Sequence, residues 1–182
     1  MLMDGGKSTL LIVDVQERLL PAIADGQTIL DNCVWLARLA TRLKVPVVVS
    51  EQYPAGLGAT VAPLREALDD AHFVEKTHFS CVSDGCLSGT AIDVRRQVVV
   101  VGTEAHVCVM QTVLELRWQG KEVFLVEDAV GSRKPADKQA ALARMRAHGV
   151  EVVTREMVAF EWLKRSATDL FREINRDFIR DN

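Results

Sequence analysis

Short apolar runs alternate along the chain with longer stretches whose apolar positions fall near a 3.6-residue period. Leu10–Val13, Pro46–Ser50, Phe73–Glu75, Gln97–Val101, Glu122–Val126 and Val150–Val153 read as strands, being brief, rich in β-branched residues and bounded by polar or turn-forming positions. Between them, Thr28–Leu43 carries Ile29, Cys33, Leu36, Leu39, Ala40 and Leu43 on one helical face. Helices are also predicted over Thr60–Leu68, Leu87–Arg95, Val107–Gln119 with Gly120 placed to stop it, and Ala136–Ala147 closed by Gly149. Two more, over about residues 155–165 and 166–178, follow. The strands are nearly continuous apolar runs rather than alternating ones, which is the pattern of a parallel sheet covered on both faces. The expected fold is therefore α/β, three layers (α/β/α) around a six-stranded parallel sheet. Without an internal repeat or a Pro/Gly/Ser linker, residues 1–182 are expected to form one domain.

Composition narrows the function classes. A chain with 48% hydrophobic and 26% charged residues matches an ordinary globular protein and excludes intrinsic disorder. The net charge is −3, with 22 Lys and Arg scattered among 25 Asp and Glu, so no basic footprint for nucleic acid is expected. No apolar run approaches the ~20 residues that a bilayer span needs, and no membrane partner is expected. Met1–Thr9 holds no apolar signal core. Without a secretory signal, Cys33, Cys81, Cys86 and Cys108 are expected to be reduced thiols in a cytoplasmic protein.

In an open parallel sheet, ligands bind beyond the carboxyl ends of the strands. The residues there are Asp14, Glu51 with Gln52, Lys76, the Gly102–Cys108 turn, Asp128 and Thr154. Taken singly, Asp14 reads equally as a helix cap, Lys76 as a solvated charge and Cys108 as a core thiol. Taken together they are a carboxylate, an ammonium and a thiol selected independently by one topological rule. Cys108 lies where a helix should start, and helix-start amides with a neighbouring lysine should lower its pKa. A carboxylate in reach could take the thiol proton and return it to a leaving group.

The segments LLIVDVQ (Leu10–Gln16), SEQYPAGLG (Ser50–Gly58), VEKTHFSC (Val74–Cys81), VVVVGTEAHVCVMQT (Val98–Thr112) and VEDAVGSR (Val126–Arg133) resemble the isochorismatase-like superfamily of cysteine hydrolases. The resemblance covers about residues 8–165 and is nearest the isochorismatase domain-containing branch. It implies a Rossmann-like fold with Asp14 as proton acceptor and donor, Lys76 supporting the charged site and Cys108 as nucleophile. It also implies a cis Thr103–Glu104 peptide, with the amides of Glu104 and Cys108 forming an oxyanion hole. Nicotinamidases of this superfamily bind a metal through an Asp-x-His after the second strand. Here that stretch is Glu51-Gln52-Tyr53, so no metal and no other cofactor is expected. Gln16, Tyr53, Phe79 and His106 are the expected substrate-pocket residues, each open to a packing or surface reading.

The activity so implied is cleavage of a small-molecule amide through a Cys108 thioester. Two alternatives stay open: an isochorismatase-type hydrolase that uses Asp14 as general acid without a thiol, and a scaffold that keeps the fold without catalysis. Leu170, Phe171, Ile174 and Phe178 form an apolar stripe that packs on its own sheet or on a second subunit. The superfamily commonly forms dimers and larger assemblies, so a homo-oligomer is expected, with about residues 155–182 as one candidate interface.

Overall fold

In the computed structural model, which describes residues 1–180, six parallel strands form one sheet. They are β1 (Ser8–Val13), β2 (Val47–Gln52), β3 (Ala71–Lys76), β4 (Gln97–Thr103), β5 (Glu122–Gly131) and β6 (Glu151–Val153), in the spatial order β3-β2-β1-β4-β5-β6. The chain builds outward in one direction from β1 and in the other from β4. The reversal falls between these two strands, which is where an open α/β sheet leaves a crevice.

Both faces of the sheet are covered, as the unbroken apolar strands require. On β1, Leu10 and Ile12 point to one core and Leu11 and Val13 to the other, and all four are fully buried. The first core is closed by α1 (Gly26–Leu43), which contributes Cys33, Leu36, Leu39 and Ala40. Two four-residue helices, α2 (Pro54–Leu57) and α3 (Ala62–Arg65), follow β2, and Leu64 of α3 joins this core. The second core receives Cys81 from α4 (Cys81–Asp84), Ile92 from α5 (Ala91–Val94), Val113 and Leu116 from α6 (Met110–Trp118), and Leu142 and Met145 from α7 (Pro135–Ala147).

Several boundaries differ from the sequence expectation. The helix expected over Thr60–Leu68 is reduced to α3. That expected over Leu87–Arg95 is reduced to α5, because Gly89 takes a φ of +78° and Thr90 begins a new helix by accepting from the Ile92 amide. The helix α4 was not expected; Ser80 caps it and Gly85, at φ +81°, ends it. The strand β5 runs past Glu127 and Asp128 to Gly131, with its pairing to β4 slipping between Val100 and Gly102. Periodicity merged Val107–Val109 with the helix behind them: these residues end a π-helical turn at Ala105–Val109, and α6 begins only at Met110.

The tail forms α8 (Arg155–Leu163), α9 (Asp169–Ile174) and a further π-helical turn at Asn175–Ile179. Most of its apolar stripe is spent on this chain. Ile174 is fully buried, and the Phe178 ring meets Trp35 of α1 edge-on at 6.0 Å while the Trp35 indole donates to the Phe178 carbonyl. Leu170 remains 44% exposed, and residues 181–182 of the candidate interface lie outside the described residues. No helix among the described residues is long and apolar enough to cross a membrane.

Candidate active site

Strand register assembles the site. Val13 pairs with Ser50 on β2 and with Gly102 on β4, so Asp14 emerges between the ends of both neighbours. Gln52 pairs with Lys76, placing an amide and an ammonium side by side on the next two strands. Asp14 adopts a left-handed φ of 52°, which an aspartate tolerates better than most residues. Its amide donates to the Ser50 carbonyl at 3.1 Å, and its carbonyl accepts from the Thr103 hydroxyl at 2.7 Å. Gly102 makes this crossing possible. Its φ is +116°, and a Cβ there would lie 2.1 Å from the Val13 carbonyl oxygen.

The side chains then converge. The Lys76 Nζ donates to Asp14 Oδ2 at 2.8 Å, to Gln52 Oε1 at 2.6 Å and to the His78 carbonyl at 3.3 Å. The second Asp14 oxygen accepts from the Ser50 hydroxyl at 2.7 Å. The Cys108 Sγ lies 4.0 Å from Gln52 Oε1, the same oxygen that accepts from Lys76. All three charged or nucleophilic groups are buried, with Cys108 5% exposed. Cys108 is carried on the π-helical turn, whose Glu104 carbonyl accepts from the amides of Val107 and Val109. The Thr103–Glu104 peptide that precedes this turn is cis.

Burial and the ion pair compete over the protons. Burial pushes the Asp14 carboxyl above its ordinary range, and this outweighs the stabilising Lys76 ammonium and Ser50 hydroxyl. For Lys76, burial acts downward, but the Asp14 carboxylate and the Cys108 sulfur hold the net shift upward. The Cys108 thiol is pushed well up, first by burial and then by the neighbouring Asp14 carboxylate. This corrects the expectation of a thiol lowered by helix-start amides and lysine. The helix starts three residues later than expected, and the neighbouring Asp14 carboxylate disfavours a Cys108 thiolate.

The expected pocket residues separate. Gln16 is fully buried, and its side chain is consumed by the backbone: its amide donates to the carbonyls of Gln52 and Gly58, and its oxygen accepts from the Gln52 amide. It ties the loop after β2 in place, the packing reading of this residue. Tyr53 and Phe79 are 58% and 54% exposed. Tyr53 borders a cavity of about 310 Å³ beside Lys76, together with Thr77 and Asp84. A larger cavity, about 940 Å³, lies between α1 and the tail and contains none of the chemical residues. His106 places Nδ1 3.0 Å from the Ser132 hydroxyl and Nε2 3.8 Å from Asp137. The Glu104 carboxylate pairs with Arg133 at 2.5 Å.

Gln52 is the residue to which sequence reasoning gave no role. It accepts from Lys76, faces the thiol, and is itself fixed by donating to the Thr77 carbonyl at 2.8 Å. Its strand-end position was the available signal. Its neighbour Glu51 points elsewhere, accepting from the amide and hydroxyl of Thr60 at 2.7 Å each and from Arg65. Among the described residues no cluster of three or more His, Cys, Asp or Glu side chains is arranged to hold a metal ion. The arrangement as it stands can move a proton between a thiol and a carboxylate beside a fixed positive charge.

Comparison with known proteins gives consistent matches. The isochorismatase domain model matches residues 8–157. Isochorismatase domain-containing protein 2 of Danio rerio is 34% identical over 170 residues, covering 93% of this chain and 85% of that protein. Isochorismatase family protein 1A of Dictyostelium discoideum is 31% identical over 172 residues, covering 92% and 84% respectively. The structure of MAR1 ribonuclease from Caenorhabditis elegans aligns with a TM-score of 0.91 at 33% identity, covering 97% of this chain and 91% of that one.

Proposed function

Because the chain belongs to the isochorismatase family, we propose that it is a cysteine hydrolase that cleaves the carbon–nitrogen bond of a small-molecule amide at Asp14, Lys76 and Cys108. The observation that carries this reading is the convergence, at the sheet's reversal point, of a buried carboxylate–ammonium pair and a thiol on one side chain: Gln52 Oε1 accepts from Lys76 at 2.6 Å and lies 4.0 Å from the Cys108 Sγ.

The Asp14 carboxylate takes the Cys108 proton as the sulfur attacks the amide carbonyl, so the thiolate need not exist at rest. Lys76, positioned by Gln52, holds the negative charge during this transfer. The amides of Glu104 and Cys108 receive the oxyanion. Asp14 then gives its proton to the departing amine. In the second half-reaction water attacks the thioester, Asp14 again accepting a proton, and Cys108 leaves with it.

Assaying amides, vinyl ethers and RNA oligonucleotides in parallel tests the substrate class, the last because the C. elegans relative is described as a ribonuclease. Release of amine from amides is expected. Cleavage of ethers or RNA with every amide untouched contradicts the reading. One alternative has its own support: burial raises Asp14 toward the protonated form, which suits a general acid acting without the thiol. In that case a Cys108→Ala chain keeps its activity and an Asp14→Asn chain loses it. Self-association belongs to the same proposal. Trp118 and Val94, 88% and 86% exposed, are the most exposed apolar side chains open to it, and sedimentation of the full chain as a single 20.2 kDa species would contradict it.

A further inference from the structure

Two other cysteines meet next to this site, and neither takes part in the chemistry above. Cys81 opens α4 and is fully buried; its backbone amide donates to the Thr112 hydroxyl of α6 at 3.0 Å. Cys86 follows the left-handed Gly85 turn, which folds the chain back over α4. The Cys86 thiol lies 3.5 Å from the Cys81 carbonyl oxygen, and both side chains pack into the second core. Cys86 is partly exposed, so small solutes reach the pair through it. Cys33 differs: it is sealed in the opposite core with its thiol on the Ala129 carbonyl.

We propose that Cys81 and Cys86 form a second thiol site, which a small peroxide converts into an intramolecular disulfide. The Cys86 sulfur takes one oxygen of hydrogen peroxide as the O–O bond breaks; the other oxygen leaves as water with the Cys86 proton. The Cys81 sulfur then attacks the sulfenic sulfur, the S–S bond forms, and hydroxide leaves with the Cys81 proton as a second water. The two sulfurs lose the two electrons that the peroxide oxygens gain. Cys81 suits the attacking role. It is the buried partner, whereas peroxide meets the partly exposed Cys86 first.

The modification falls on the segment that seats Lys76. The loop closed by the disulfide contains Asp84, whose carboxylate holds the Thr77 and His78 amides at 3.0 Å each, and the His78 carbonyl in turn receives the Lys76 ammonium. Formation of the disulfide does not depend on what the chain hydrolyses.

The test uses the full chain carrying Cys108→Ser, so that the site thiol does not react. The folded protein is exposed to hydrogen peroxide, unfolded, alkylated with iodoacetamide and cut with trypsin, which releases Thr77–Arg95 with both cysteines in one peptide. The expected result is loss of both alkyl groups and a mass lower by two hydrogens, reversed by dithiothreitol, while Cys33 stays alkylated. Cys86→Ser added to this background should leave Cys81 fully alkylated. Retention of both alkyl groups on Thr77–Arg95, over-oxidation of Cys86 with Cys81 still alkylated, or loss of Cys81 alkylation in the Cys86→Ser chain would each overturn the proposal.

Discussion

At the scale of single residues, the Asp14–Lys76 pair sets the balance between stability and chemistry. Removing one member of a buried pair leaves an uncompensated charge, so Lys76→Met is expected to cost about 3–5 kcal/mol in denaturant unfolding, and Asp14→Asn/Lys76→Met to recover most of it. Equal destabilisation of the single and double variants would show that the pair is not coupled. The pH dependence follows from the raised Asp14 carboxyl, since the proposed base must be ionised. Amide turnover should fall on acidification with an apparent pKa above the ordinary ~4 of a carboxyl, as read from a kcat/KM profile. Gln52→Leu removes one acceptor from Lys76 and should lower turnover about 10–100-fold with little change in fold, measured by kinetics alongside circular dichroism.

Asp84 behaves oppositely to Asp14. The backbone amides of His78 and Thr77 hold its carboxyl down at about 2. A depressed folded-state pKa stabilises the fold above the unfolded value of ~4, and that contribution disappears as the pH falls through about 2. Asp84→Asn should therefore lower Tm at neutral pH and match wild type near pH 2 in calorimetric scans. A gap of constant size across that range would contradict the assignment.

At the scale of elements, the strands and the long helix α1 were legible because burial writes itself as composition and period. Leu10–Val13 is apolar on both faces since both faces are covered, and the α1 stripe is the sheet's imprint. The short helices were not legible. Whether residues 87–95 form one helix is decided by Gly89 taking a positive φ, and the π-helical turn at Ala105–Val109 carries the same apolar spacing as the helix it precedes. Asp14, Lys76 and Cys108 could be found because each ends or follows a strand. The role of Gln52 depends on inter-strand register, and no local pattern reports register. The depressed thiol expected of Cys108 failed for a related reason, since the offset of α6 and the facing carboxylate are both properties of assembly. The β1–β4 crossing offers a direct element-scale test: Gly102→Ala drives a Cβ into the Val13 backbone and should abolish soluble folded protein or lower Tm steeply. A variant with wild-type Tm would show that the backbone relaxes there.

At the scale of the whole molecule, the reversal of strand order between β1 and β4 gives the chain its crevice, and the tail acts on the opposite side of the fold's chemistry. Since Phe178 and Ile174 pack on Trp35 and its surroundings, ending the chain at Arg165 should uncover the α1 face and lower Tm, and sedimentation of the shortened and full chains would show whether the tail also governs assembly. An unchanged Tm would place the tail outside the cooperative unit.

In the proposed reaction sulfur, rather than the carboxylate alone, attacks the substrate. Steady-state turnover of the best amide by wild type and by Cys108→Ala measures this most directly. A loss of about 10³-fold or more, with Tm preserved, is the predicted result; a Cys108→Ala chain that turns over the amide at the wild-type rate contradicts it.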